Sequence, residues 1–145
     1  MRHMIRRQAL ALAAGVGLGI IVQESLWTGV DALDPGYSLN RALVHAPLSG
    51  GWLLPLLATW LAGGAFGGLM ATLVGRSRAG GHAAGTFLSG SALLLSAFAL
   101  PDAGAFLVIA LTPGAGAALG TGLGMRLLGN ERNRPTSTKL HVHAS

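Results

Sequence analysis

Four long apolar runs separated by short polar segments follow one another along the chain, at about residues 9–30, 52–74, 83–100 and 103–128. Each run approaches the ~20 residues that an α-helix needs to cross the hydrocarbon core of a bilayer. None of them shows the alternation of apolar and polar residues that is typical of a membrane β-strand. The pattern therefore predicts an all-α protein, a four-transmembrane-helix bundle that forms a single domain over residues 1–128.

Two polar segments lie outside the predicted spans. The connection 31–51 is the longest, and its SLNRALVHAP stretch predicts a short amphipathic helix on the outer membrane surface. Ser38 is suited to cap that helix and Pro47 to end it. The last segment, 129–145, is polar and predicts a disordered cytoplasmic tail.

The basic residues predict the orientation of the bundle. Nine of the ten Lys and Arg residues flank the apolar runs on one predicted side: Arg2, Arg6, Arg7, Arg76, Arg78, Arg126, Arg132, Arg134 and Lys139. Because basic flanks stay in the cytoplasm, both termini are predicted to be cytoplasmic. The basic start and apolar run also match a secretory signal peptide, but no small-residue cleavage site follows, so we expect an uncleaved signal anchor.

Composition supports a membrane location. Hydrophobic residues make up 51% of the chain and charged residues 10%, whereas a soluble domain carries about 25% charged residues. The net charge of +5 would also suit a nucleic-acid partner. The basic residues lie at the ends of apolar runs, however, so the predicted partner is the lipid bilayer of a bacterial inner membrane and no nucleic acid is expected.

Glycines recur at four-residue spacing within the apolar runs, which places them on one face of each helix. The set comprises Gly15, Gly19, Gly63, Gly64, Gly67, Gly68, Gly116, Gly120 and Gly124. Small residues let transmembrane helices approach closely, so we expect these glycines to pack the interior of the bundle. The alternative is a seam between two copies in a homodimer or a larger membrane complex.

Pro113 lies near the middle of the fourth run, in the sequence LTPGAGAALG. A proline removes one helical hydrogen bond, so Pro113 is expected to kink this helix. The alternative is a broken helix that lines a substrate site, as in many transporters.

An amide and a carboxylate, Gln23 and Glu24, interrupt the first run in GIIVQESLWTGV. Glu24 lies about 9 Å inside the outer end of that run, and equal depths in the second and third runs lead to Thr59 and Ser96. These four residues form a candidate intramembrane polar site, because ionisable groups inside a bilayer are costly and suggest function. The alternative is that the span ends near Val22 and that Glu24 meets interfacial water.

Residues suited to metal binding or catalysis are few. Asp31, Asp34, Asp102 and His45 lie on the predicted outer side, but they match no recognised metal-ligand spacing. The chain has no cysteine, and no Ser/His/Asp set or phosphate-binding loop is found. We therefore expect neither a metal nor a cofactor, and a membrane enzyme that uses Glu24 and His45 is the least favoured class.

The chain resembles a family of uncharacterised small bacterial four-helix integral membrane proteins. The resemblance is carried by LLPLLATWLAGGAFGGLMATLVGRSR, by the Gly/Ser-rich third run and by TPGAGAALGTGLG in the fourth, and it covers roughly residues 9–128. It implies a four-helix fold and a membrane location, and it implies no activity.

Two functions are compatible with these observations. The first is a non-enzymatic membrane bundle that serves as a structural or accessory subunit. The second is a small transporter or channel in which Glu24 binds a proton or a cation. A water-accessible cavity that reaches Glu24 would favour transport, whereas a dry and closely packed interior would favour the accessory role.

Overall fold

A computed structural model describes residues 2–33, 53–99 and 103–132 of the chain. These residues form four helices, which we number α1 (Arg2–Leu33), α2 (Leu53–Gly75), α3 (Arg78–Ala99) and α4 (Ala103–Arg132). The prediction of an all-helical chain with four helices is therefore confirmed for the described residues. The predicted surface helix around Ser38 and most of the predicted tail lie outside them.

The helices extend beyond the apolar runs at both ends of the chain. Helix α1 begins at Arg2 rather than near residue 9, and α4 continues to Arg132 rather than ending near 128. Residues 129–132, the first part of the predicted tail, belong to α4, and the rest of that segment lies outside the described residues. Hydropathy marks where a helix lies in an apolar medium, whereas the helix itself continues into water for as long as no residue breaks it.

Three of the four helices are long and apolar enough to cross a membrane. The candidate spans within the described residues are His3–Leu33, Leu54–Gly75 and Leu107–Asn130. Helix α3 is not among the candidate spans of the described residues, where it begins with Arg78 and carries His82, Thr86 and several Gly and Ser residues. The length and apolarity of these three helices are thus compatible with an integral membrane protein.

Helix α2 lies at the centre of the bundle. It is apolar around its whole circumference and packs extensively against both α1 and α4, while α3 packs mainly against α4. A core cluster of Leu56, Trp60, Ala92 and Ile109 joins α2, α3 and α4. Large apolar side chains that a soluble protein would bury remain exposed on the outside, among them Ile21, Leu54, Phe66, Leu111 and Leu119.

A tight turn connects α2 to α3. Helix α2 ends at Gly75, Arg76 adopts a left-handed conformation with φ 49°, and the Ser77 hydroxyl accepts a hydrogen bond from the Gly80 amide at 3.4 Å. Ser77 thereby caps the first turn of α3. The Gln8 side chain donates to the same hydroxyl at 3.3 Å, and Arg7 Nε donates to the Val74 carbonyl at 3.1 Å. These bonds hold the start of α1 against the α2–α3 turn.

Candidate functional site

The structure describes three side chains of the candidate intramembrane polar site (Gln23, Glu24, Thr59 and Ser96), and they have different surroundings. Thr59 is buried in α2, at 4% exposure, and its hydroxyl donates to the Leu56 carbonyl of its own helix at 2.9 Å. Gln23 is half-buried at the contact between α1 and α2. Ser96 belongs to α3, but its side chain lies outside the described residues.

Glu24 is exposed on the surface of α1 rather than turned toward α2. Within the described residues, its carboxylate is therefore not enclosed by the helices. Gly15, Gly19 and Gln23 recur at four-residue spacing and share the face that packs on α2. A residue that follows Gln23 directly is rotated by about 100° around the helix, which carries Glu24 away from that face.

The glycines of α1 meet those of α2 in reciprocal pairs. A Cβ on Gly19 would lie 2.9 Å from the Gly63 carbonyl oxygen, and a Cβ on Gly63 would lie 2.8 Å from that of Gly19. Gly15 and Gly67 face each other in the same way, with corresponding distances of 2.7 and 2.8 Å. The two helices are antiparallel, and their backbones approach so closely that no side chain fits between them.

A second glycine face of α2 packs against α4. Ideal Cβ atoms on Gly64 and Gly68 would overlap the carbonyls of Pro113 and Ala117, and Cβ atoms on Gly116 and Gly120 would overlap those of Leu61 and Ala65. In these contacting pairs the residue numbers increase together along both helices, so α2 and α4 run parallel. Gly124 continues the face, since its Cβ would lie 3.0 Å from the Thr72 side chain.

Pro113 is buried at this contact, and α4 is continuous through it. The Thr112 hydroxyl donates to the Val108 carbonyl of its own helix at 2.6 Å, in the turn before the proline. In the structure Pro113 presents its own carbonyl to Gly64. These contacts give the proline a packing role, and the helix is not broken there.

The acidic and histidine residues that suit metal binding do not converge within the described part of the chain. No group of three or more His, Asp or Glu side chains is close enough to hold a metal ion among those residues. Asp31 is exposed near the end of α1, and Asp34, His45 and Asp102 lie outside the described residues. The described residues therefore carry no argument for a metal site.

A basic cleft between α3 and α4 was not anticipated as a site. It is a cavity of about 440 Å³ lined by Arg78, His82, Ala118, Thr121, Gly122, Met125 and Arg126. In the sequence, Arg78 and Arg126 indicate topology only. The sequence does not show which helices are neighbours. In the structure the start of α3 and the end of α4 lie side by side, so basic residues about fifty positions apart line one cavity.

Thr121 lies at the inner wall of the basic cleft with an unsatisfied hydroxyl. The residue is 2% exposed, and its Oγ1 has no hydrogen-bond partner within the described residues. It lies beside Gly81 and near the Thr72 hydroxyl, which donates to the Gly68 carbonyl at 2.7 Å. A buried hydroxyl without a partner costs about 1–3 kcal/mol, so this wall has unused hydrogen-bonding capacity.

A second cavity adjoins the basic cleft and extends along the same pair of helices. It measures about 260 Å³ and is lined by His82, Gly85, Thr86, Ser89, Gly114 and Ala117. Because His82 lines both cavities, they are neighbours along α3 and α4, and we call the two together the α3–α4 groove.

Known protein families, curated proteins and solved structures include no match to this chain. The resemblance to small bacterial four-helix membrane proteins therefore stays a prediction, and function has to be argued from the geometry.

Proposed function

We propose that the chain is a non-enzymatic integral membrane protein of the bacterial inner membrane, a closely packed bundle that serves as a structural or accessory subunit. The observation that carries the proposal is the double glycine contact of α2. Gly63 and Gly67 bring its backbone against α1, while Gly64 and Gly68 bring it against α4. Helices in backbone contact on two sides of the central helix leave little room for a permeation path along it.

The charges support a cytoplasmic location for both termini. The bond from Arg7 to Val74 holds the start of α1 against the end of α2, and the basic cleft brings the start of α3 against the end of α4. The described arginines Arg6, Arg7, Arg76, Arg78 and Arg126 thus lie at one end of the bundle. Glu24 lies roughly 25 Å along α1 from Arg7, toward the other end. One basic end is the arrangement expected of a cytoplasmic face.

The transport alternative has less support, because the carboxylate on which it depends is exposed on α1 rather than enclosed by helices. The test reconstitutes the purified chain and a Glu24→Gln variant in liposomes and measures proton and cation flux. We expect both proteins to resist alkaline extraction from membranes and neither to carry flux above protein-free liposomes. Flux in the unmodified chain that Glu24→Gln abolishes at unchanged thermal stability would contradict the accessory role.

A further inference from the structure

The basic cleft has the chemistry of a phosphate site. Arg78 and His82 are four residues apart on one face of α3, and Arg126 faces them from α4. Guanidinium groups bind phosphate oxygens through paired, charge-assisted hydrogen bonds. None of the three side chains has an acidic partner among the described residues, so their hydrogen-bond donors are available to a ligand.

The acidic side chains that the structure describes, Glu24 and Asp31, are distant from the cleft. Glu24 and Asp31 lie in the second half of α1, whose first half packs at the end of the bundle that carries the cleft. Glu131 follows Arg126 by more than one helical turn in the sequence, and its side chain lies outside the described residues. The charged side chains that line the cleft among the described residues are therefore basic, which favours an anionic ligand.

The size and continuity of the groove point to a lipid. A volume of about 440 Å³ exceeds the needs of a free phosphate ion and falls within the usual range for small-molecule sites. The adjoining cavity is lined by residues from His82 to Ser89, roughly 10 Å along α3. A phospholipid would fit this arrangement with its phosphate at the arginines and part of an acyl chain along the groove.

We propose that the basic cleft binds the phosphate group of an anionic phospholipid from the cytoplasmic leaflet. Arg78 and Arg126 hold the phosphate oxygens, His82 contacts the glycerol end of the headgroup, and the α3–α4 groove takes part of an acyl chain. The lipid source rests on the proposed membrane location, whereas the phosphate site itself does not.

The test uses the full chain, purified in an uncharged detergent, and follows its thermal unfolding midpoint during ligand titration. The ligands are phosphatidylglycerol, a diacylglycerol with the same acyl chains, and inorganic phosphate. The variants are Arg78→Gln and Arg126→Gln. Arg6→Gln is the matched control, because Arg6 is an exposed arginine at the same end that does not line the cleft.

We expect phosphatidylglycerol to raise the unfolding midpoint of the unmodified chain and of Arg6→Gln, with diacylglycerol having little effect. Each cleft variant should weaken the apparent affinity for phosphatidylglycerol by about fivefold, the upper end for an exposed ion pair. Equal protection by diacylglycerol, or an equal loss in Arg6→Gln, would overturn the site. Equal protection by inorganic phosphate, lost in the cleft variants, would keep the phosphate site and overturn the lipid source.

Failure of the proposed membrane location would be separately visible. A chain recovered in the soluble fraction without detergent would remove the lipid source, and the titration with inorganic phosphate would then decide whether the cleft binds phosphate at all.

Discussion

Neighbouring residues of α1 have very different surroundings because a helix turns by about 100° per residue. Gly19 is buried against α2, and a Cβ there would lie 2.9 Å from the Gly63 carbonyl oxygen and 2.9 Å from Leu88. Gly17, two residues earlier, has nothing within 4 Å of the position its Cβ would take. Identical residues on one helix therefore have different roles, and of these two glycines only Gly19 is required by packing.

This contrast makes a paired prediction. We expect Gly19→Ala to lower the free energy of unfolding by about 1–3 kcal/mol, because the added methyl group forces two backbones apart. Gly17→Ala should leave stability unchanged or raise it, by up to about 1 kcal/mol, because alanine favours a helix more than glycine does. Unfolding of both variants in the same detergent measures the difference. Equal midpoints would mean that α1 does not pack on α2 through this face.

The sequence predicts how deep a residue of a helix lies in the membrane, but not which way its side chain points. Glu24 and Thr59 can be matched by counting from the ends of their spans, yet the count leaves the rotation of each helix open. The four-residue series Gly15, Gly19 and Gln23 could have supplied that rotation, since small residues mark the packed face. With that face turned to α2, Gln23 rather than Glu24 becomes the inward residue.

At the scale of helices, the overlapping glycine pairs of α2 explain its central place. Gly63 and Gly67 form one face and Gly64 and Gly68 the next, about 100° around the helix, so α2 accepts α1 on one side and α4 on the other. The four helices and the glycine spacing could be predicted from the sequence. Which glycine face meets which helix could not, because pairing depends on contacts between distant segments.

The α2–α3 turn allows a prediction about backbone strain. Arg76 is exposed with φ 49°, a conformation that costs a residue with a Cβ about 1–2 kcal/mol and costs glycine little. We expect Arg76→Gly to be at least as stable as the unmodified chain and Arg76→Val to be less stable than Arg76→Gly by roughly 1–2 kcal/mol. Both variants remove the same charge, so their difference in unfolding midpoint isolates the turn. An Arg76→Val protein as stable as Arg76→Gly would contradict a left-handed residue at this position.

On the scale of the whole molecule, the directions of the helices constrain the status of α3. Its hydropathy alone does not qualify it as a span, but α2 and α4 run parallel, and α3 connects the end of one to the start of the other. If α2 and α4 cross the bilayer, α3 must return the chain across it. Its 22 residues reach about 33 Å, enough for a hydrocarbon core of ~30 Å.

The polar side chains of α3 are compatible with that crossing. The Thr86 hydroxyl donates to the His82 carbonyl at 3.0 Å, and the Ser91 hydroxyl donates to the Phe87 carbonyl at 3.0 Å. Hydroxyls that bond to their own helix present fewer unsatisfied donors to lipid, which lowers the cost of inserting them. A helix of modest hydropathy can therefore span the membrane when its neighbours, here mainly α4, cover one side of it.

Single-cysteine labelling tests this topology directly, because the chain has no cysteine of its own. In spheroplasts, we expect a membrane-impermeant thiol reagent to label Asp34→Cys and Asp102→Cys, and to label Ala79→Cys and Gly129→Cys only after permeabilisation. The expectation follows from the basic end formed by Arg7, Arg76, Arg78 and Arg126, which should stay in the cytoplasm. Ala79 lies in the first turn of α3 and Asp102 follows the last residue of α3 in the sequence, so equal labelling of these two positions in spheroplasts would show that α3 does not cross. Labelling of Ala79→Cys and Gly129→Cys from outside, with Asp34→Cys protected, would instead show that the bundle has the opposite orientation. The basic cleft would then lie in the outer leaflet.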